Sequence, residues 1–117
     1  MIYLSNAALR YAVNICLELP NYHVIICPKS RNEWEDIIDQ LVDYIPSLGI
    51  NVNKISKSKS GDCCIKFTTG SIIRFVLASD SSRGYKTNLV IVDSEVDEDI
   101  INTVLRPMEI KQLIEKR

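Results

Sequence analysis

Two short apolar runs constrain the fold of this chain more than any other feature. The first is HVIIC at His23–Cys27, and the second is NLVIVD at residues 88–93. Continuous apolar runs of this length, rich in β-branched residues, are typical of strands buried on both faces of a parallel sheet. The sequence therefore predicts an α/β domain in which both runs lie inside a mostly parallel sheet, with helices against its faces.

Helical patterns flank the first run. One helix is predicted over about residues 5–19, with Ser5 as its N-cap, and apolar stripes on two sides indicate burial between the sheet and another element. A second helix is predicted from the capping-box spacing of Ser30 and Glu33. Its apolar residues recur at helical spacing at Trp34, Ile37, Ile38, Leu41 and Ile45. Trp34 lies on that stripe, which predicts a core position rather than a recognition role.

The next part of the chain reads as strands. They are predicted at residues 51–55, 62–68 and 71–78, and the last two are joined by a tight turn at Thr69 and Gly70. A short helix is predicted over about residues 96–105, and Pro107 should end it before a last polar helix that reaches Arg117. With 117 residues and no long linker, the chain is expected to form a single domain over residues 1–117.

Composition excludes several functional classes. The formal net charge of -1 provides no overall field that attracts nucleic acid or a membrane, so an electrostatic partner would need a local patch. No run approaches the roughly 18 apolar residues of a membrane span, so no membrane partner is expected. One histidine and the lack of a CxxC spacing argue against a zinc site. The cysteines are interpreted as reduced residues of a cytoplasmic protein: Cys16, Cys27, Cys63 and Cys64.

The segment over residues 70–107 resembles a known family. It contains a turn at Gly70 and Ser71, a loop with Arg83 and Gly84, a hydrophobic strand at Leu89–Val92, and then Asp93. In this order the features resemble the ATPase domain of phage terminase large subunits and, more loosely, superfamily 2 helicases. The upstream HVIICPKSRNEWEDIIDQL is similar to the family's second strand and helix. The resemblance implies a three-layer domain of the P-loop NTPase type, with Asp93 as the acid that supports magnesium.

The chain lacks the two motifs that carry catalysis in that family, the phosphate-binding loop and the catalytic glutamate. The phosphate-binding loop, G-x-x-x-x-G-K-[ST], should precede the first helix, but the chain has MIYLSNAALR there, with Ala7 and Ala8 about where the Lys and Ser/Thr would fall. Ser94 replaces the catalytic glutamate, and Glu95 comes one residue late. Because phosphoryl transfer depends on positioning and electrostatic stabilisation, no ATPase activity is expected from this chain alone. No cofactor is expected, and magnesium and ATP enter only if another chain supplies the loop.

Several charged residues have two interpretations. Asp93 and Glu95 could bind magnesium, or Asp93 could simply cap the following helix. Arg83 and Lys86 could contact phosphate or DNA, or belong to an ordinary exposed loop. The most basic local surface is expected on or around the hairpin, from Lys54, Lys57, Lys59, Lys66 and Arg74. Such a cluster is typical of binding to nucleic-acid backbones, although lysine on a strand edge also deters aggregation.

The resulting hypothesis is a non-catalytic, terminase-ATPase-like phage or prophage protein in the cytoplasm of a bacterial host. It would act through protein binding in DNA packaging or DNA processing. The alternatives are one part of a split ATPase and a nucleic-acid-binding module that uses the basic hairpin. At most Ile2, Tyr3 and Leu4 remain of the family's first strand, so one side of the strand at Leu89–Val92 should be poorly paired. This predicts a dimer or an obligate partner near that strand.

Overall fold

The two apolar runs are neighbouring parallel strands in a computed structural model that describes residues 1–57, 63–77 and 86–109. In chain order the strands are β1 (Ile2–Tyr3), β2 (His23–Cys27), β3 (Val52–Lys57), β4 (Cys63–Phe67), β5 (Ile72–Phe75) and β6 (Leu89–Val92). They form one sheet in the order β1-β6-β2-β5-β4-β3. β1, β6, β2 and β5 are parallel, whereas β4 is antiparallel to β5 and β3. The mostly parallel sheet with an antiparallel hairpin is confirmed.

Helices cover the sheet on both faces. On one face lie α1 (Asn6–Glu18) and α2 (Trp34–Asp43), and a single turn, α3 (Leu48–Asn51), leads into β3. The other face carries a helix made of three consecutive segments, Glu98–Ile100, Ile101–Leu105 and Arg106–Met108, which we call α4. The strands alternate between two cores, so that Ile26 packs with α1 and α2 while Ile25 packs with α4. No helix in the described ranges is long and apolar enough to cross a membrane.

The starts of the first two helices differ in how well the sequence predicted them. α1 begins as expected, because the hydroxyl of Ser5 accepts the N–H of Ala8 at 3.0 Å. The predicted capping box at Ser30 and Glu33 is wrong. The backbone carbonyl of Ser30, rather than its hydroxyl, accepts the N–H of Glu33 at 3.3 Å, and this closes a 3₁₀ turn before α2 begins at Trp34.

The tight turn predicted at Thr69 and Gly70 joins β4 to β5, and its conformation favours glycine. Gly70 has a φ of 89°, in the left-handed region that side chains with a Cβ rarely adopt. Its N–H donates to the carbonyl of Phe67 at 3.0 Å and closes the turn. The side chain of Asn21 fills the space that a Cβ on Gly70 would need, so the turn also fixes the segment between α1 and β2.

Pro107 lies inside α4, and the prediction that it ends the helix is wrong. Proline has no N–H, and its ring crowds the carbonyl four residues earlier. The turn before it is widened, because the N–H of Arg106 donates to the carbonyl of Ile101, five residues back. With this wider turn the helix continues to Met108, whose side chain is buried in the second core.

The outer side of β6 is paired, so the predicted gap beside it is absent from the described part of the chain. Ile2 aligns with Ile91, and the N–H of Leu4 donates to the carbonyl of Val92 at 2.8 Å. Ahead of β1, the N–H of Val90 donates to Oε2 of Glu109 at 2.8 Å. The carboxylate of Glu109, the residue after α4, thus bonds to a part of β6 that the two-residue strand β1 does not reach. The outermost strand on this side of the sheet is therefore β1 and not β6.

Candidate functional site

The carboxyl ends of β1, β6 and β2 meet at one edge of the sheet, which is where open α/β sheets bind their ligands. At this edge Asp93 follows β6, and its N–H donates to the carbonyl of Cys27 at 3.0 Å. Oδ1 of Asp93 accepts the N–H of Glu95 at 2.8 Å, and its carbonyl accepts the N–H of Val96 at 3.1 Å. Asp93 therefore stabilises a tight turn after the strand.

A different acid caps the helix that follows. Oδ1 of Asp97 accepts the N–H of Asp99 at 2.8 Å, so the cap of α4 is Asp97 rather than Asp93. Oε2 of Glu95 lies 3.6 Å from Nζ of Lys29, and both side chains are largely exposed, so this ion pair contributes little stability. Among the residues described, no group of three or more His, Cys, Asp or Glu side chains is arranged to hold a metal ion.

The connection from β1 to α1 is where the resemblance seen in the sequence would place a phosphate loop. It consists of Leu4 and Ser5 and contains no glycine. A phosphate cradle needs successive N–H groups that point at the ligand. Here the N–H of Leu4 bonds to Val92 and the N–H of Ala8 bonds to Ser5. With two residues and no glycine, this connection is too short to surround a triphosphate in the way that a phosphate loop does.

A buried thiol lies beneath the same edge. Burial and, secondarily, the carboxylate of Asp93 raise the pKa of Cys27 to about 12. Burial alone raises the pKa of Cys16 to about 12. Because the thiolate is the nucleophilic form of cysteine, both side chains are poor nucleophiles at neutral pH, and both lie in the core as the sequence predicted. All four cysteines are buried, and none of them forms a disulfide.

A second candidate site lies on the α4 side of the hairpin strands. The register places Lys54 opposite Lys66, and Arg74 opposite Cys64. Since side chains alternate along a strand, Lys54, Lys66 and Arg74 point to one face, while Ile65 between them packs in the core under α1 and α2. The core under α4 takes its strand residues from β2, β6 and the end of β5 and includes none from β3 or β4.

His23 extends this cationic surface onto β2. It is exposed and aligns with Ile72, which in turn aligns with Lys66. We call His23, Lys54, Lys66 and Arg74 the basic face. A depression of about 310 Å³ opens on it and is lined by His23, Asn53, Lys66, Phe67, Gly70, Ser71, Ile72 and Arg74. Strands β2–β6 contain no Asp or Glu, so no carboxylate within these strands neutralises the face.

The other predicted cations are elsewhere. Lys57 points to the opposite face of β3, where its Nζ lies 2.7 Å from Oδ1 of Asp39 on α2, and this hydrogen bond raises the pKa of Lys57. Lys86 is exposed just before β6, at the amino edge of the sheet and away from Asp93. Lys59 and Arg83 lie outside the described residues. The sequence missed His23, although the alternation in HVIIC could have placed it on the same side as Ile25.

A third surface is the free side of β3. Within the described ranges, β3 pairs only with β4 and so forms the second edge of the sheet. Beside it, α3 leaves the side chain of Ile50 75% exposed. A depression of about 250 Å³ adjoins the strand and is lined by Leu48, Gly49, Val52, Asn53, Lys54 and Ile55. We call β3 together with α3 and this depression the β3 edge.

Comparisons with protein-family models, with curated proteins and with solved structures find no match to this chain. The geometry of the described residues gives three candidate functional surfaces: the carboxyl edge of the sheet with Asp93, the basic face, and the β3 edge.

Proposed function

We propose that this chain is a non-catalytic, terminase-ATPase-like protein of a phage or prophage that acts by binding another protein during DNA packaging or DNA processing. The observation that carries this proposal is the β3 edge. Its strand has six residues and, within the described ranges, is the last strand of the sheet and forms a ladder with β4 alone. An extended segment of a partner can add a strand to such an edge through main-chain hydrogen bonds, while neighbouring side-chain pockets provide specificity.

Apolar side chains beside the strand supply such a pocket. Leu48, Val52 and Ile55 line the depression, and Ile50 stands exposed next to it. Burial of a side chain such as Ile50 contributes about 1.5–3 kcal/mol. This surface replaces the N-terminal one that the sequence suggested, because β1 and Glu109 already pair with the outer side of β6.

The carboxyl edge supports a role without hydrolysis. The short connection at Leu4 and Ser5 provides no cradle for phosphates, and the carboxylate of Asp93 already accepts a backbone N–H. In the split-ATPase alternative, a phosphate loop from another chain would have to meet Asp93 at this edge. Binding of a protein at the β3 edge, at the opposite end of the strand order, does not require another chain to supply a phosphate loop.

Replacement of Ile50 by lysine is expected to abolish binding at the β3 edge without affecting the fold, because the side chain is exposed in the isolated chain. The matched control is Tyr11→Lys, which changes another exposed apolar residue, on α1. Sedimentation at micromolar concentration measures self-association, and capture from infected host cells with each tagged variant measures a different partner. The association should be lost in Ile50→Lys and kept in Tyr11→Lys. Equal behaviour of the two variants, or a monomer that captures nothing, would contradict the proposal.

A further inference from the structure

We infer that the groove between α1 and the end of α2 binds a small zwitterion, a molecule that carries both a carboxylate and an ammonium group. The groove is a depression of about 370 Å³ lined by Arg10, Asn14, Asp43 and Tyr44, and we call it the helix groove. Its volume lies near the lower end of the range for ligand pockets, about 300–1,000 Å³, which favours a small occupant. Binding here is independent of protein docking at the β3 edge, because the two depressions share no lining residue.

The guanidinium of Arg10 is held in place by Tyr44. Its Cζ atom lies 4.6 Å from the centroid of the tyrosine ring. Stacking of this kind occupies the flat face of the guanidinium and leaves its N–H edge for a bidentate contact with a carboxylate. The ring is fixed in turn, because Nε2 of Gln40 donates to the hydroxyl of Tyr44 at 2.8 Å and to Oδ1 of Asn6 across the two helices. A donor that is positioned before the ligand arrives loses less entropy on binding.

Asp43 gives the groove a negative charge that its own helix does not favour. It is the last residue of α2, and the last turn of that helix contains no basic residue. The C-terminal end of a helix carries a partial negative charge, so an acid there is unfavourable and a bound cation is favourable. Among the described residues, neither Asp43 nor Arg10 takes part in a salt bridge. An ammonium group at Asp43 would therefore offset the charge of both the carboxylate and the helix end.

The two charges together select a ligand that carries both signs. A simple anion at Arg10 would meet the carboxylate of Asp43, and a simple cation at Asp43 would meet the guanidinium of Arg10. A zwitterion satisfies both groups at once, and the amide of Asn14 can donate a further hydrogen bond to its carboxylate. Specificity then rests on the repulsion of ligands with one charge as well as on the attraction of ligands with two.

The test is an NMR titration of isotope-labelled protein, which observes the side-chain N–H signals of Arg10 and Asn14 directly. The probes are glycine, β-alanine and γ-aminobutyrate, which carry the same two charges at increasing separation, each at up to about 20 mM. We expect at least one probe to shift both signals saturably, with a Kd below about 10 mM. Acetate and methylammonium, which carry one charge each, should bind at least about tenfold more weakly than that probe.

Two variants remove one charge each from the groove. Arg10→Gln and Asp43→Asn should each weaken binding of the tightest probe at least about tenfold. The matched controls are Arg31→Gln and Asp36→Asn, which should change the Kd less than about twofold because exposed charges at a distance are screened. Arg31 also stacks on an aromatic ring, with its Cζ atom 5.6 Å from the ring centroid of Trp34, and Asp36 is an exposed acid of α2. Neither control residue lines the helix groove.

Three results would overturn the inference. They are the absence of a saturable shift with all three zwitterions at about 20 mM, binding of acetate or methylammonium as tight as that of the tightest zwitterion, and an equal loss of binding in the control variants. Thermal unfolding of each variant establishes that it is folded. None of these results depends on whether a protein binds at the β3 edge, since Ile50→Lys leaves the lining of the helix groove unchanged.

Discussion

Replacement of Phe67 by alanine is expected to lower the free energy of unfolding by about 3–5 kcal/mol. The side chain is 1% exposed and heads the largest fully buried residues of the core. It stands at the end of β4 under α1 and α2, so its loss leaves a cavity at the base of the hairpin. Domains of this kind are stable by about 5–15 kcal/mol, so the variant should lose much of its stability.

Urea unfolding measures this loss, with the fluorescence of Trp34 as the signal. Trp34 is the only tryptophan of the chain and is buried, 6.0 Å from the ring of Phe75. The control is Phe67→Leu, which keeps most of the volume and should cost less than about half as much. A loss below about 1 kcal/mol for Phe67→Ala would show that β4 does not pack under α1 and α2 as described.

The second large effect is expected at Glu109, where truncation to alanine should cost about 2 kcal/mol. Its carboxylate serves two groups: Oε2 accepts the N–H of Val90, and Oε1 lies 2.8 Å from the terminal ammonium of Met1. In the alanine variant the N–H of Val90 and the ammonium of Met1 would both lose this carboxylate. The ladder between β1 and β6 begins only at Ile2 and Ile91 and does not replace it. An unsatisfied buried donor costs about 1–3 kcal/mol, which accounts for most of the loss.

Glutamine at the same position separates the two contacts. Glu109→Gln keeps an oxygen that can accept from Val90 but removes the charge that attracts the ammonium of Met1. We expect it to cost about half as much as alanine, as measured by the same urea titration. If both variants match the wild-type chain, the side chain of Glu109 does not complete the sheet edge, and only the part of β6 that pairs with β1 is covered.

Local patterns predicted most of the elements. The apolar runs at His23–Cys27 and Leu89–Val92 are strands at almost the predicted bounds, and Ser5 caps α1 as expected. These predictions succeeded because each depends on residues a few positions apart. The strand predicted at residues 51–55 is β3 at Val52–Lys57, and the helical turn α3 that precedes it was not predicted. The residues around this boundary are few and show neither a helical nor a strand periodicity in their apolar positions.

Long-range contacts could not be predicted. The carboxylate that completes the edge of β6 comes from Glu109, 19 residues after Val90 and 108 after Met1, and no local pattern connects these positions. Pro107 predicted a helix end because a proline is incompatible with an ordinary helical turn, and the widened turn at Ile101–Leu105 is invisible in the sequence.

The sequence also predicted only part of the basic face. The register places Lys54, Lys66 and Arg74 on one face of the sheet, whereas Lys57, which the sequence grouped with them, lies on the other. A shift of one residue along a strand reverses the face of every side chain, so charge clustering alone could not separate Lys57 from Lys54.

The central claim, that this chain acts by binding and not by nucleotide hydrolysis, is tested most directly by thermal unfolding with magnesium and ATP. No shift is expected. A ligand that binds only the native state at 100 times its Kd would stabilise it by about 2.7 kcal/mol, which is readily detected. The matched control is Asp97→Ala, which removes the cap of α4 but leaves the turn at Asp93. A stabilisation that persists in Asp97→Ala and disappears in Asp93→Ala would contradict the claim and favour a split ATPase.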